Sequence, residues 1–358
     1  MHLFVDISSH GFGHLAITAP VLDAVAEIIP DLRLTVRSGL PAAKLHQRIH
    51  CPFEHIAAAS DFGYVMHDAL SIDLVATAAA YRAAHADWSA RVAAEAGFLA
   101  ALAPDLVLTN VSYLPLAGAA LGGIPAIAIC SLNWADLFAH FFGHQPWAAP
   151  ILGEMLAAYR AAQTFIRITP AMPMADLANT MTVGPIASFG RRHDLGLNGD
   201  KAALIAMGGV AHQLPVDRWP RTPGVRWLVA ADWHCRHPDA VAYESFDLSF
   251  TDLLCSVDTV ITKPGYGTFT EAACNGKPVL YQRRADWPEQ DCLIDWLRDH
   301  GRCREISGAD LEAGKLSRAL AELWQQTPPP LPQADGARAA AEIICRSFRR
   351  DRPPATAG

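Results

Sequence analysis

The sequence predicts an α/β protein of two domains, each built on a parallel β-sheet. The chain has 358 residues, which is enough for two hydrophobic cores. Near the amino end, and again near residue 260, a short apolar strand leads through a glycine loop into a helix and then a second strand. This order is typical of parallel sheets, because a crossover helix must return the chain to the edge where the first strand began.

The composition argues against several classes of protein. Apolar residues make up 51% of the chain and charged residues 18%, as in ordinary globular proteins. The net charge of -7 is spread without blocks of one sign, which argues against a nucleic-acid partner. The eight cysteines form no CxxC pair and no regular framework, which indicates reduced thiols.

The amino end shows no signal for export. Met1 leads directly into a strand, without a basic segment followed by an apolar one, so we expect a cytoplasmic protein. The alanine-rich segment 70–103 contains five charged residues and is not expected to span a membrane. Contact with the surface of a membrane stays open.

The amino-terminal βαβ unit carries the first candidate site. Apolar residues at helical spacing follow its loop, and Gly11 and Gly13 in the loop allow a ligand to approach the backbone closely. The loop also follows the carboxyl end of a strand. The predicted elements are a strand at 3–7, the loop at 8–14, a helix at 15–29 and a strand at 32–37.

His14 stands at or near the first turn of this predicted helix. The positive end of the helix dipole lowers the pKa of an imidazole there and keeps it neutral, which suits a base that takes a proton from a hydroxyl. The alternatives are a histidine that caps the helix and one that is hydrogen-bonded in the core. His10, four residues earlier, competes for the role of base or contacts an acceptor molecule.

Two further loops of the first domain are predicted to lie at the same sheet edge as His14. An irregular segment at 40–64 and a long helical stretch at 72–102 precede them. Strands at 106–109 and 125–130 lead into the two loops. We expect their residues to line a cleft for an acceptor molecule, namely Asn110, Ser112, Asn133 and Trp134.

The stretch TKPGYGTFTEAACNGKPVLYQ, at 262–282, is the most informative part of the chain. A β-branched strand at 257–262 precedes a loop, a helix at 268–274 and a strand at 278–281. Pro264 keeps Lys263 extended, and the loop glycines free the backbone to surround a ligand. Because amide groups at the start of a helix bind anions, an anion site is predicted at Lys263, Pro264, Gly265, Tyr266, Gly267 and Thr268.

Glu271 has two interpretations on spacing alone. Thr268 and Glu271 fit a capping box, in which the glutamate bonds back to the start of the helix. A carboxylate at this place also suits the paired hydroxyls of a ribose.

Arg283 and Arg284 follow the next strand, again at a carboxyl end. They suit a phosphate, an ion pair with Glu289 or Asp291, or an exposed surface pair. No histidine or cysteine cluster has the spacing of a metal site, so we expect no metal.

The stretch at 262–282 resembles the donor-binding signature of the glycosyltransferases of GT-B fold. This group includes the lipid-linked murein GlcNAc transferase and the UDP-glycosyltransferases. The chain is also similar to the glycosyltransferase-like domain fused to plant arabinokinases. The similarity lies in the motif KxGYGTxxEA, the following RR and the acidic stretch after them. The sequence PDLVLTN…GIPAIAICSLNW at 104–134 is also similar to that domain. The resemblance covers roughly residues 1–305.

The resemblance implies roles for the candidate residues. The histidine that matches His14 is the catalytic base in many members. The loop glycines, with Gly208 and Gly209 of the first loop of the second domain, would meet the donor diphosphate, and Glu271 would meet its ribose. The other implied donor contacts are Phe246 at the nucleobase, Arg283 at a phosphate, and Glu289 and Gln290 at the sugar hydroxyls. The family usually has aspartate where Glu289 stands, so the identity of the sugar stays open.

We therefore expect the GT-B fold, with two Rossmann-like domains facing each other across a cleft and a last helix crossing back to the first domain. The expected segments are an acceptor-side domain at 1–183, a linker at 184–200, a donor domain at 201–326, and a proline-rich spacer with the last helix at 327–358.

The expected function is the inverting transfer of a sugar from a nucleotide sugar, with UDP-sugars favoured, to a hydroxyl of a small-molecule or lipid-linked acceptor. No cofactor and no metal are expected, because the nucleotide sugar is a co-substrate and backbone amides stabilise the leaving group. Three alternatives stay open: a non-catalytic nucleotide-sugar-binding module, a GT-B nucleotide-sugar epimerase, and a protein that retains only the fold.

Overall fold

The computed structural model describes residues 1–209 and 212–350, with side chains as far as residue 348. Val210 of the predicted glycine loop and residues 351–358 of the predicted carboxyl-terminal segment lie outside the described residues. The chain divides into two compact units. The first consists of residues 1–65, 72–186 and the segment from 335 onward, and the second of residues 66–71 and 187–334.

The first unit is built on a parallel sheet, with seven strands in the part of the chain that the structure describes. The strand order is β3-β2-β1-β4-β5-β6-β7. Because the chain builds outward from β1 on one side and from β4 on the other, the carboxyl ends of these two strands flank a topological switch point. The strands are β1 (His2–Ile7), β2 (Arg33–Arg37), β3 (Glu54–Ile56), β4 (Leu106–Asn110), β5 (Ala126–Cys130), β6 (Thr164–Ile168) and β7 (Thr180–Val183).

The helices of this unit cover a sheet whose central strands are buried along their whole length. Every residue of β1, β4 and β5 is buried, as a parallel sheet covered on both faces requires. The helices up to residue 186 are α1 (Phe12–Ile28), α2 (Ala42–Arg48), α3 (Leu74–His85), α4 (Trp88–Leu102), α5 (Leu114–Leu121), α6 (Trp134–Phe142) and α7 (Ala148–Ala161).

The single helix expected at 72–102 is two helices. The Asp87 side chain accepts a hydrogen bond from Ala90 N at 3.2 Å and caps the start of α4. A residue that caps one helix has non-helical dihedral angles and therefore ends the preceding one.

A buried arginine joins three elements of the first unit. Arg37, at the end of β2, donates from Nε to Asp6 of β1 at 2.5 Å and from its terminal nitrogens to Glu95 of α4 at 2.6 and 3.1 Å. Its guanidinium also lies over the rings of Phe4 and Phe98. Burial alone lowers the pKa of Arg37, but the two carboxylates outweigh this effect and raise the pKa. The charge is therefore fully compensated and orders β1, β2 and α4.

The second unit is built on a smaller parallel sheet, with six strands among the described residues. Its order, β10-β9-β8-β11-β12-β13, places the switch point between β8 and β11. The strands are β8 (Lys201–Ile205), β9 (Val225–Val229), β10 (Ala240–Ala242), β11 (Thr259–Thr262), β12 (Val279–Tyr281) and β13 (Cys303–Glu305). The helices of this unit are α8 (Phe250–Ser256), α9 (Tyr266–Cys274), α10 (Gln290–His300), α11 (Gly308–Glu312) and α12 (Ser317–Trp324).

The last helix, α13 (Gly336–Arg350), belongs to the first unit and packs against α1. Its apolar stripe is buried there, with Ala340, Ala341 and Ile344 at 0% exposure. The expected return of the last helix to the first domain is confirmed.

Two segments differ from the expected organisation. Residues 187–200, expected as a linker, belong to the second unit because their backbone is bonded to it. The N–H groups of Arg191 and His193 donate to Asp252 Oδ1 at 2.7 Å and Ser256 Oγ at 2.9 Å. Residues 66–71 also belong to the second unit, where Ala69 is fully buried in the apolar core.

Replacement of Arg37 by methionine should destabilise the protein strongly. The change leaves the buried carboxylates of Asp6 and Glu95 without their cation, which costs about 3–5 kcal/mol. The free energy of unfolding from chemical denaturation measures this cost. The matched control is Arg33→Met on the same strand, which removes an exposed ion pair with Glu54. Equal losses in the two variants would contradict a central role for the Arg37 cluster.

Candidate functional site

The switch point of the first sheet brings His14 and Asn110 together. Ile7 at the end of β1 pairs with Asn110 at the end of β4, and His14 lies in the first turn of α1. The imidazole Nδ1 is 2.9 Å from Asn110 Oδ1. Both side chains are buried, at 7% and 0% exposure.

The hydrogen bonds around Asn110 determine which nitrogen of His14 carries the proton. Asn110 Nδ2 donates to the His14 carbonyl at 3.1 Å and to the Thr18 hydroxyl at 2.8 Å. That hydroxyl in turn donates to the same carbonyl at 2.8 Å. Because a carbonyl only accepts, the amide nitrogen faces it and the amide oxygen faces the imidazole. Nδ1 of His14 therefore carries the proton, and Nε2 keeps its lone pair.

Burial determines the charge of His14. It lowers the pKa of the imidazole to about 4, and the hydrogen bond with Asn110 opposes this only in part. A neutral amide can orient the ring, but it offers no negative charge to stabilise an imidazolium. The imidazole is therefore neutral at physiological pH, with burial rather than the helix dipole as the main cause.

Trp134 lies beside both candidate histidines. Its ring centroid is 5.6 Å from that of His14 and 5.3 Å from that of His10. Gly63 makes room for His10, because a Cβ added there would lie 2.7 Å from Cδ2 of the imidazole, and its φ of +59° favours glycine. The three rings form one cluster at the carboxyl end of the sheet.

Asp61 is a site residue that the sequence did not reveal. Its carboxylate accepts from Trp134 Nε1 at 2.7 Å and from Ser8 Oγ at 2.9 Å. Burial raises the pKa of Asp61 to about 6, and the negative charge of Asp6 adds to the effect. The residue lies in the segment at 40–64, whose lack of periodicity gave no signal that this half-buried carboxylate contacts Trp134.

Asp61 and Trp134 also line a narrow cavity with aromatic walls. The space inside it is small, about 20 Å³. Phe62, Tyr81, Trp88 and Tyr113 form the rest of its aromatic lining.

The remaining predicted residues of the first unit have structural positions beside this cluster. Gly11 is the N-cap of α1, and Gly13 lies in its first turn. Ser112, in the loop after β4, is fully buried. Asn133 caps α6 by accepting a hydrogen bond from Asp136 N at 2.8 Å.

In the second unit, Lys263 connects the two predicted glycine loops. A Cβ added at Gly208 would lie 3.5 Å from Lys263 Nζ, and one added at Gly265 would lie 3.8 Å from it. Gly208 has a φ of +96°, which other residues adopt only with strain. Gly209 follows in the same loop. The amino group therefore lies alongside both loops at the switch point of the sheet.

Helix α9 begins two residues earlier than the sequence indicated. Gly265 is its N-cap, and Tyr266 and Gly267 form its first turn. Thr268 is therefore inside the helix, and the capping-box interpretation of Thr268 and Glu271 is wrong. Glu271 is 1% exposed.

A second cation lies near Lys263. Burial lowers the pKa of Lys263 to about 7, and the positive charge of Arg284 contributes to the shift. Burial also lowers the pKa of Arg284 to about 10, against the opposing effects of Glu289 and Asp68. The Arg284 guanidinium is 3.8 Å from the ring centroid of Trp287. An anion would relieve the cost of both buried charges.

The neighbouring Arg283 has a different environment. It pairs with Asp291 at the surface, with 36% and 68% of the two side chains exposed. Arg284 rather than Arg283 therefore lies near Lys263.

Glu289 and Gln290 order the loop that carries Arg284. They are 5% and 7% exposed. Glu289 accepts from Trp287 Nε1 at 3.1 Å. The Gln290 amide accepts from Arg284 N at 3.0 Å and donates to Arg284 O at 3.3 Å.

Phe246 lies elsewhere along the same sheet. It ends a 3-10 turn, Tyr243–Phe246, that follows β10, and it packs against the apolar core of the unit. Pro264 precedes the N-cap of α9 and is buried.

No group of three or more histidine, cysteine, aspartate or glutamate side chains among the described residues could hold a metal ion. None of the helices in the described ranges has the length and apolar character needed to cross a membrane.

The sequence is similar to one curated protein, and no protein-family model matches it. The L-arabinokinase of Arabidopsis thaliana is 22% identical over 353 residues, which cover 94% of this chain. The chain spans about a third of the length of that relative, since the match covers 33% of it.

Solved structures match the whole chain at low sequence identity. The calicheamicin glycosyltransferase CalG4 superposes with a TM-score of 0.62 at 16% identity, over 97% of this chain and 94% of that one. A Listeria monocytogenes protein assigned as a UDP-N-acetylglucosamine 2-epimerase superposes with a TM-score of 0.60 at 13% identity. The match covers 99% of this chain and 98% of that one. The UGT2 of Phytolacca americana, in a structure complexed with UDP-2-fluoro-glucose and pterostilbene, superposes with a TM-score of 0.53 at 14% identity. The match covers 97% of this chain and 99% of that one.

Likeness at these identities concerns the fold. With its two parallel sheets, each reversing at a switch point, and its returning last helix, the chain has the GT-B fold.

Proposed function

We propose that the protein is a glycosyltransferase that moves a sugar from a nucleotide sugar to an acceptor hydroxyl with inversion. The observation that carries the proposal is the Lys263 amino group, which lies alongside both glycine loops at the switch point of the second sheet. A half-buried cation beside loop amides and the start of α9 suits a diphosphate, which carries its charge on oxygens.

The donor would lie along the carboxyl edge of the second sheet. The amides after Gly265 and the Lys263 amino group would neutralise charge that grows on the diphosphate as the bond to the sugar breaks. This arrangement supplies the stabilisation from the chain itself, so we propose a reaction without a divalent metal or further cofactor. UDP is the favoured nucleotide, since the UGT2 complex contains a UDP-sugar and the Listeria relative is assigned to a UDP-sugar reaction.

His14 would act as the base on the acceptor. Its Nδ1 is bonded to Asn110, so Nε2 is the atom that takes the proton from the acceptor hydroxyl. As this proton moves to Nε2, the acceptor oxygen would attack the anomeric carbon from the side opposite the leaving nucleoside diphosphate, which inverts the configuration of that carbon.

Two other functions have specific support. The likeness to the Listeria relative, at a TM-score of 0.60, supports an epimerase that acts on a nucleotide sugar without an acceptor. The match to a third of an arabinokinase supports a binding module, since the matched part is joined there to the rest of a longer enzyme. The epimerase and the binding module would both use the proposed donor site. They differ from a transferase because His14 would have no acceptor hydroxyl to deprotonate.

A ligand panel followed by product analysis separates these functions. UDP, GDP, dTDP, ADP and their sugars are added in turn, and a ligand that binds the folded state raises the melting temperature. Chromatography of the reaction then distinguishes the candidates. A transferase releases the nucleoside diphosphate only with an acceptor, an epimerase converts the sugar without one, and a binding module does neither. Absence of a shift with every nucleotide would contradict the donor site.

His14→Gln should lower the rate of transfer by about 100-fold or more, with donor affinity unchanged, because a general base contributes this much. Steady-state kinetics and calorimetric titration of the donor measure the two effects. His10→Gln is the comparison variant. A large loss of rate in His10→Gln together with normal turnover in His14→Gln would make His10 the base.

Asn110→Asp should raise the pKa of His14 above its value of about 4, because a carboxylate stabilises the imidazolium. The titration of the imidazole nitrogens, followed by NMR, measures this directly. The aspartate cannot donate to the Thr18 hydroxyl or the His14 carbonyl, so stability should fall by about 1–3 kcal/mol. An unchanged His14 titration would contradict the hydrogen bond between the two residues.

Affinity for a nucleotide sugar should fall as the pH rises above about 7, where Lys263 loses its proton. The bound anion favours the charged amine, so binding takes up a proton and weakens by up to about tenfold per pH unit. Calorimetric titration at several pH values measures this dependence. In Lys263→Met the affinity should be lower and nearly independent of pH in this range. A pH dependence equal to that of the native protein would exclude Lys263 as its source.

A further inference from the structure

Arg284 is held rigidly in the loop after β12. The Gln290 side chain bonds both the N–H and the carbonyl of Arg284, at 3.0 and 3.3 Å. The guanidinium stacks on Trp287, with 3.8 Å between its central carbon and the ring centroid. Backbone and side chain are therefore both positioned before any ligand arrives.

The guanidinium is buried without a full set of partners. Arg284 is 7% exposed, and its buried Nε has no hydrogen-bond acceptor among the described residues. A buried donor without an acceptor destabilises the fold, and more so when it carries a charge. Arg37 in the first unit shows the contrast, since two carboxylates bond its guanidinium. The unpaired donor of Arg284 therefore indicates a ligand that accepts.

The nearby carboxylates are engaged elsewhere. Asp68 accepts from the N–H groups of Leu70 and Ser71 at 2.7 and 2.9 Å. Glu289 accepts from Trp287 Nε1 at 3.1 Å. Both lower the cost of the Arg284 charge, but neither accepts a hydrogen bond from its Nε.

The strand order places Arg284 at the sugar end of the proposed donor. In the order β10-β9-β8-β11-β12-β13, Phe246 follows β10, the Gly208 and Lys263 loops follow β8 and β11, and Arg284 follows β12. A nucleotide sugar lying along this edge with its base toward Phe246 has its diphosphate at the switch point. Its sugar then lies beyond the diphosphate, at β12.

We propose that the donor sugar carries a carboxylate, as in a nucleotide-linked uronic acid, and that Arg284 binds this group. The inference rests on the proposed donor site and names the class of its sugar. A guanidinium and a carboxylate form two parallel hydrogen bonds, which satisfies Nε together with a terminal nitrogen. A neutral sugar offers hydroxyls, which can accept from Nε but leave the buried charge without a counter-ion.

Paired ligands that differ only at the sixth carbon of the sugar test the proposal. UDP-glucose and UDP-galactose carry a hydroxymethyl group there, and UDP-glucuronic acid and UDP-galacturonic acid carry a carboxylate. Their affinities, and that of UDP, are measured by calorimetry for the native protein, Arg284→Gln and Arg284→Lys. Arg298→Gln, which removes an exposed arginine of α10, is the matched control for the loss of a charge. The melting temperature of each variant establishes that it is folded.

At least one uronic acid should bind the native protein about tenfold or more tightly than its neutral counterpart. Arg284→Gln should remove this preference and leave the affinity for UDP unchanged, whereas Arg298→Gln should retain the preference. Arg284→Lys should keep part of it, because lysine supplies the charge without the paired geometry.

Three results would overturn the proposal. Neutral sugars that bind as well as the acids would exclude a carboxylate subsite. An equal loss of affinity for UDP and the uronic acids in Arg284→Gln would assign the guanidinium to the diphosphate. Absence of UDP binding by the native protein would contradict the proposed UDP donor site itself and, with it, the inference.

Discussion

The reversal of strand order in each sheet is the constraint on which the rest of the structure depends. In a parallel sheet every strand ends at the same edge, and where the order reverses, two adjacent loops separate and leave room for a ligand. The reversal between β1 and β4 brings His14 to Asn110. The reversal between β8 and β11 brings the loops of Gly208 and Gly265 to Lys263. Residues distant in the sequence, such as His14 and Asn110, thus meet because of topology rather than local sequence.

The environments of three cations distinguish a residue that maintains the fold from residues that are candidates for ligand binding. Arg37 is bonded by two carboxylates, and its pKa is raised. Lys263 is half-buried and Arg284 is buried, but the pKa values of these two cations are lowered, to about 7 and about 10. A protein gains nothing from an undercompensated cation unless something else binds it, since the desolvation cost remains. The sign of the pKa shift thus marks Arg37 as structural and the other two as candidates for function.

The sequence predicted the elements better than the side-chain environments. Apolar strands followed by glycine loops were sufficient to place His14, Gly208 and Gly265 at strand ends, because period and glycine content are local signals. The start of α9 was placed two residues late, since Gly265 rather than Thr268 is the N-cap. Asp61 was missed, and Arg284 was not separated from Arg283, because burial depends on segments distant in the chain. For the same reason the sequence did not predict that residues 66–71 belong to the second unit.

The partner of His14 determines what kind of base this site can provide. A carboxylate in place of Asn110 would hold the same tautomer and also stabilise the charged imidazole, which raises its pKa toward neutrality. The amide performs only the first task, so the ring is oriented but weakly basic, with a pKa of about 4. Such a base is unprotonated at every physiological pH, and in the proposed transfer it would take a proton only as the acceptor oxygen forms its new bond. In the proposed transfer the burden of catalysis would then lie on the leaving group, and Lys263, the uncompensated cation beside the glycine loops, would be the residue suited to stabilise it.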